Sequence, residues 1–66
     1  LIIQVKDYLP EKMIMNLYDL QGNKITTKRL YEGSNIINTE SLSSGVYIVE
    51  IIERNRIVKS EKIVKN

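Results

Sequence analysis

Apolar residues recur at every second position over most of this chain, and this alternation constrains the fold more than any other feature of the sequence. Isoleucine, valine, threonine and tyrosine are abundant in the alternating stretches, whereas alanine is absent. Both the period and the residue types favour strands over helices. Clusters of turn-forming residues interrupt the pattern at short, regular intervals, as they do in sandwiches and barrels. The sequence therefore predicts an all-β domain.

Six strands are predicted from the turn signals. Pro10 in DYLPEK cannot donate to a strand ladder and ends the first strand. LQGN predicts a tight hairpin because Gly22 and Asn23 tolerate positive φ, and ERNR predicts a two-residue turn at Arg54 and Asn55. The predicted strands span residues 1–6, 12–20, 24–31, 35–38, 46–53 and 56–65.

The strand at 46–53 is the most apolar of the six, with Tyr47, Val49 and Ile51 on one face. Its other face is also largely apolar, so we expect a central strand with Glu50 near an edge or a sheet end. The strand at 56–65 is mixed on both faces, as suits an edge strand protected by lysines.

Two other elements are expected to complete the core. In the second strand, Met13, Met15 and Leu17 share one face. In the connection TESLSSG, Leu42 is expected to plug the end of the core. We expect Gly45 to provide a backbone conformation, or a close approach, that a side chain would forbid.

Composition limits the chemistry that 66 residues can carry out. There is no cysteine and no histidine, which excludes a disulfide framework, a thiolate zinc site, a cysteine nucleophile and the commonest metal ligand. Ten basic and eight acidic residues are interleaved, for a formal charge of +2, so no strong field for polyanions is expected. The longest apolar run, at residues 46–49, is far shorter than the ~20 residues of a membrane helix.

Each candidate for catalysis or ligand binding has a simpler structural interpretation. The close carboxylate pairs, Asp7 with Glu11 and Glu50 with Glu53, are expected to be surface acids, since so small a domain has little room for a cleft. The serines lack an activating base and are expected in turns. DLQGN lacks the alternating acids of a calcium loop, so Asp19 is expected to accept hydrogen bonds from local amides. We expect no catalytic residue, no cofactor, no metal and no nucleic acid partner.

The last residues, SEKIVKN, leave two interpretations open. They are typical of an edge strand with protective lysines. They are equally typical of a strand that pairs with a partner through its backbone while an apolar side chain fills a pocket.

Three motifs in order, LYDLQGNKI, GSNIINTESLSSGVYIVEI and EKIVKN, resemble the type A C-terminal sorting domain of the type IX (Por) secretion system. The resemblance covers roughly residues 12 to 66. The matching motif residues are Tyr18, Asp19, Leu20 and Gly22, then Leu42, Gly45 and Tyr47, and finally Lys62, Ile63, Val64 and Lys65. The Asn-Pro segment that usually opens the family does not precede Leu1, so we expect this single domain to lack its first residues.

The resemblance implies a small immunoglobulin-like antiparallel β-sandwich of about six or seven short strands. It also implies a secretion signal: the domain would follow N-terminal cargo domains and direct them from the periplasm across the outer membrane, to the cell surface or the medium. Its partners would be the type IX translocation and attachment machinery, including a sortase-like peptidase that removes it.

Within that resemblance, Lys62 to Lys65 are expected to be recognised by the machinery, whereas Gly45 and Tyr47 are expected to define the fold. An edge-strand homodimer is a further expectation, because an unpaired edge can template another chain. The alternative function is an immunoglobulin-like accessory or adhesive module of a large exported protein.

Overall fold

The computed structural model describes residues 1–6 and 13–66, and these residues form six strands, all paired antiparallel. The described residues contain no helix that is long and apolar enough to cross a membrane. The strands are β1 (Ile2–Val5), β2 (Met13–Asp19), β3 (Lys24–Arg29), β4 (Gly33–Ile36), β5 (Gly45–Glu53) and β6 (Arg56–Lys65).

The strands form two sheets. Four of them make the large sheet, in the order β3-β2-β5-β6, and β1 and β4 make the small sheet. Because buried residues of both sheets belong to one apolar cluster, the sheets are the two layers of a small immunoglobulin-like sandwich. The predicted all-β fold is confirmed, as are the central position of β5 and the edge position of β6.

The core lies on one face of the large sheet, here called the inner face. Met15 pairs with Ile51, and Leu17 pairs with Val49, across β2 and β5. Since directly opposed residues of antiparallel strands share a face, these side chains form one apolar layer. The faces predicted for β2 and β5 are therefore confirmed.

The small sheet and the loops supply the opposite layer of the core. The buried apolar residues are Val5, Met13, Met15, Leu17, Leu30, Ile37, Tyr47, Val49 and Ile51. Ile3, Leu42 and Ile63 are partly buried against them, so Leu42 does pack at the core as predicted.

Two predicted turns are present as expected. Arg54 and Asn55, between β5 and β6, have φ values of 51° and 64°, which is the pattern of a type I′ hairpin. Gly22, in the β2–β3 turn, has a φ of 91°, a conformation that favours glycine. The turn predicted around Pro10 lies outside the described residues.

The predicted bounds of two strands were wrong at residues 30–38. β3 ends at Arg29 rather than residue 31, and β4 begins at Gly33 rather than residue 35. The side chain of Asn35 explains the early end of β3: its Oδ1 accepts from the Tyr31 N–H at 2.8 Å, and its Nδ2 donates to the Tyr31 carbonyl at 2.8 Å. β4 starts early because Gly33 already pairs with Val5 of β1. With the Tyr31 backbone bound in this way, β3 ends early. Leu30 still donates its N–H to the Met13 carbonyl of β2 at 2.9 Å and is buried in the core.

The predicted location of Glu50 was also wrong. Glu50 lies in the middle of the central strand, opposite Asn16 of β2 and Ser60 of β6, and not near an edge or a sheet end. Its side chain points to the outer face of the large sheet, where it is half-buried and accepts a hydrogen bond from the Tyr18 hydroxyl at 3.2 Å.

Leu17→Ala is predicted to destabilise the domain by about 2–5 kcal/mol, because Leu17 is 1% exposed and its loss leaves a cavity. A 66-residue domain has roughly 3–10 kcal/mol of stability in total, so much of this variant should be unfolded. Leu20→Ala makes the same chemical change at a 62% exposed site and should cost less than about 0.5 kcal/mol. Urea unfolding followed by circular dichroism measures both, and equal effects would contradict the core assignment.

Candidate functional site

The strand register brings the sequence motifs together at one end of the large sheet. On the inner face, Asp19 of β2 lies opposite Tyr47 of β5, and Tyr47 lies opposite Ile63 of β6. On the outer face, Ile48 lies between Tyr18 and Lys62 in the same way. Residues that are 44 positions apart in sequence are thus separated by a single strand, β5.

Asp19 organises the β2–β3 hairpin at this end, as predicted. Its Oδ1 accepts from the backbone N–H groups of Gln21 at 3.0 Å and Asn23 at 2.9 Å, and its Oδ2 accepts from Asn23 Nδ2 at 3.1 Å. These hydrogen bonds, those from Asn23 above all, lower the pKa of the Asp19 carboxyl. Both oxygens are engaged by amides, and the described residues hold no cluster of acidic, His or Cys side chains able to bind a metal.

The hairpin also positions the other two residues of the first motif. Leu20 is exposed at the turn, and Gly22 donates its N–H to the Asp19 carbonyl at 3.1 Å. Leu20 and Gly22 line a surface groove together with Tyr18, Ile48 and Glu50 of the outer face. This motif is therefore a turn that ends β2 and presents an apolar side chain.

The loop at residues 37–44, which leads into β5, is held by Tyr47. The Tyr47 hydroxyl donates to the Ser43 carbonyl at 2.6 Å, while its ring is buried in the core. Gly45, which starts β5, has a φ of 155° and open space where a Cβ would lie. Of the two roles predicted for Gly45, backbone conformation is thus the one observed. The second motif defines how the loop joins the central strand.

The four predicted recognition residues divide between the two faces of β6. Lys62 and Val64 point to the outer face and are exposed, and Val64 is 66% exposed. Ile63 and Lys65 lie on the inner face and are half-buried: Ile63 packs on the core. The Lys65 ammonium donates to the carbonyls of Thr39 at 2.5 Å, Glu40 at 3.2 Å and Leu42 at 2.9 Å.

A row of polar side chains crosses the outer face, and sequence reasoning missed it. Thr27, Asn16, Glu50 and Ser60 lie opposite one another across the four strands. Asn16 is 4% exposed, and its Oδ1 accepts from the Thr27 hydroxyl. Removal of the Tyr18 hydroxyl from solvent raises its pKa, and the charge of the neighbouring Glu50 carboxylate raises that pKa further. The alternation at Asn16 and Glu50 marked these as outward positions, but nothing in the sequence indicated their burial.

Two grooves lie between β1 and the inner face of β5 and β6. Their cavity volumes are ≈ 390 and ≈ 340 Å³, and their walls are largely aliphatic. The charged lining residues include Lys59, which forms a 3.5 Å ion pair with Glu61. Because the pair is exposed, it contributes little to stability. Of the matching motif residues, Ile63 alone is among those that line these two grooves.

Comparison with known families decides the identity of the domain. A family model described as "Secretion system C-terminal sorting domain" matches residues 1–66, the whole chain. The chain belongs to this family of sorting domains. No curated protein and no solved structure shows significant similarity to it.

The resemblance seen in the sequence is therefore confirmed: this is a type IX secretion C-terminal sorting domain. Such a sorting domain marks proteins for export across the outer membrane, to the cell surface or the medium. It interacts with the type IX secretion machinery and is attached to a cargo protein.

Tyr47→Phe is predicted to destabilise the sorting domain by about 0.5–1.5 kcal/mol, because the Ser43 carbonyl loses its hydrogen-bond donor while the buried ring remains. Tyr31→Phe removes a hydroxyl from a tyrosine that is 61% exposed and should have an effect within about 0.5 kcal/mol. Thermal or urea unfolding measures the difference. Equal stability of the two variants would show that the Tyr47 hydroxyl does not hold the loop.

Asp19→Asn is predicted to destabilise the domain near neutral pH but not at low pH. The folded-state pKa of Asp19 is lowered, below the value of about 3.9 in an unfolded chain. The ionised carboxylate therefore adds stability above that pH, and the contribution is lost as the pH falls through the folded pKa. Melting temperatures of wild type and variant should therefore begin to converge as the pH falls below about 4. Glu32→Gln, at an exposed carboxylate on the turn before β4, is the control for general charge effects.

Proposed function

We propose that the secretion machinery reads this sorting domain through β6, as an extended strand at the edge of the large sheet. Among the strands of residues 1–6 and 13–66, β6 is paired only with β5, so alternate backbone N–H and C=O groups along its other side are open to a partner. Addition of a strand to such an edge gives affinity through the backbone, and side-chain pockets give specificity. This free edge is the observation that carries the proposal.

Lys62 and Val64 would supply the specific contacts. Both side chains point away from the core at the end of β6, where the motif residues of the other strands also gather. An apolar pocket fits Val64, and a carboxylate fits Lys62. Over its full length β6 carries four basic residues and one acidic residue, so the complementary surface of the machinery would be acidic.

Cleavage completes the proposed function. After translocation, a sortase-like peptidase would cut upstream of the domain while the cargo is attached to surface lipopolysaccharide. The domain would then be a substrate of that enzyme and would be absent from the mature cargo. The support for this step is membership of the sorting-domain family. Nothing in the comparisons favours the alternative of a permanent adhesive module.

Val64→Asp is predicted to lower export at least about tenfold, since it places a carboxylate where an apolar contact is proposed and where the partner is acidic. The assay uses a reporter with an ordinary leader that carries this chain, with its native upstream residues, at its C-terminus. The host must possess type IX machinery, and reporter is measured in the medium and in the periplasm.

Val58→Asp is the control on the same strand: it makes the same change at a 53% exposed site near the other end of β6, beside the groove against β1. Export should stay near the wild-type level. Removal of residues 62–66 should abolish export, although it also removes the packing of Ile63. Normal export of the truncated reporter, or equal losses for the two aspartate variants, would place recognition elsewhere.

A further inference from the structure

The end of β6 is tied to the loop at residues 37–44 by a single side chain. Lys65 Nζ donates to three backbone carbonyls, those of Thr39, Glu40 and Leu42. A lysine ammonium has three donor protons and no acceptor, so these three carbonyls match its full capacity. The aliphatic stem of Lys65 is half-buried on the inner face, which covers apolar surface while the charged end meets the carbonyls.

These three hydrogen bonds lie where β6 would otherwise be least stable. Lys65 is the last residue of β6, and it pairs with Gly45, the first residue of β5. The ends of strands and chains fray unless something holds them down. The Lys65 ammonium joins this end of β6 to the loop that precedes β5. The loop, β5 and β6 are therefore each in contact with the other two.

Lys62 differs from Lys65 in each of these respects. Its side chain points to the outer face and is exposed. Within residues 1–6 and 13–66, the Lys62 ammonium has no hydrogen-bond or ion-pair partner. For Lys65 to meet a carboxylate of the machinery, it would have to leave three carbonyls without their donor. The two lysines are therefore suited to different tasks.

We propose that Lys65 is a positioning residue: it latches the end of β6 to the loop at residues 37–44, and so holds Lys62 and Val64 in the geometry that the machinery reads. The inference rests on the proposed function of β6. It assigns Lys65 no contact with the machinery.

Amide hydrogen exchange of the 66-residue chain tests the latch without any export step. In Lys65→Met, which keeps an apolar stem but loses the donors, the protected amides at the β5–β6 end should exchange at least about tenfold faster, while those around Met15 and Leu17 change much less. Lys62→Met makes the same change in charge on the same strand and should match the wild type. Lys65→Arg retains several donors and should restore most of the protection. Equal exchange in Lys65→Met and wild type would overturn the proposal.

The reporter assay then tests the consequence for recognition. Export should fall at least about fivefold in Lys65→Met and recover in Lys65→Arg, in parallel with exchange protection at the end of β6. Loss of export in Lys65→Arg despite restored protection would show that Lys65 contacts the machinery itself, which overturns the proposal. So would wild-type export in Lys65→Met with a loosened strand end. If the wild-type tail exports no reporter, the proposed function fails, whereas the exchange experiment still decides whether the latch exists.

Discussion

The rest of the structure depends on β5 and its pairing with two neighbours. β5 lies between β2 and β6, and its inner face carries three buried residues of the core, Tyr47, Val49 and Ile51. A chain of this length buries only about 60% of the surface that it exposes when unfolded, and it has no cysteine to form a disulfide. One fully paired strand therefore organises a thin core, and the same strand brings the motifs of β2 and β6 to its two sides.

Sequence alternation predicted the parts of the fold that depend on local chemistry. The inner faces of β2 and β5 follow from a period of two, and the turn at Arg54 and Asn55 follows from its position between two apolar runs. The predicted strand bounds were wrong where a side chain competes for the backbone hydrogen bonds of the strand ladder, as Asn35 does by binding the backbone of Tyr31. Glu50 was misplaced because an acidic residue in an apolar strand suggests an edge, whereas Tyr18 and a polar row accommodate it in the middle of the sheet.

The candidate site was predictable as a set of residues but not as an arrangement. The family motifs identified Asp19, Tyr47 and Lys65, but the contact between Lys65 and the loop joins positions 23 to 26 residues apart. That contact follows from the register of β6 on β5, which no local pattern specifies. The four residues of the last motif were expected to act together, and the pleat separates them instead: Lys62 and Val64 face outwards, while Ile63 and Lys65 hold the strand.

A strand that a partner must read has to stay open without pairing with other copies of the same chain. In β6 the lysines recur at every third residue, Lys59, Lys62 and Lys65. Because a strand repeats every two residues, this spacing places the charges on alternate faces. An approaching second copy would bring its own lysines to the same edge, which disfavours association between edges and argues against the expected edge-strand homodimer. An acidic partner would meet the opposite sign at Lys62 on the outer face, so the charge that opposes self-association favours the proposed recognition.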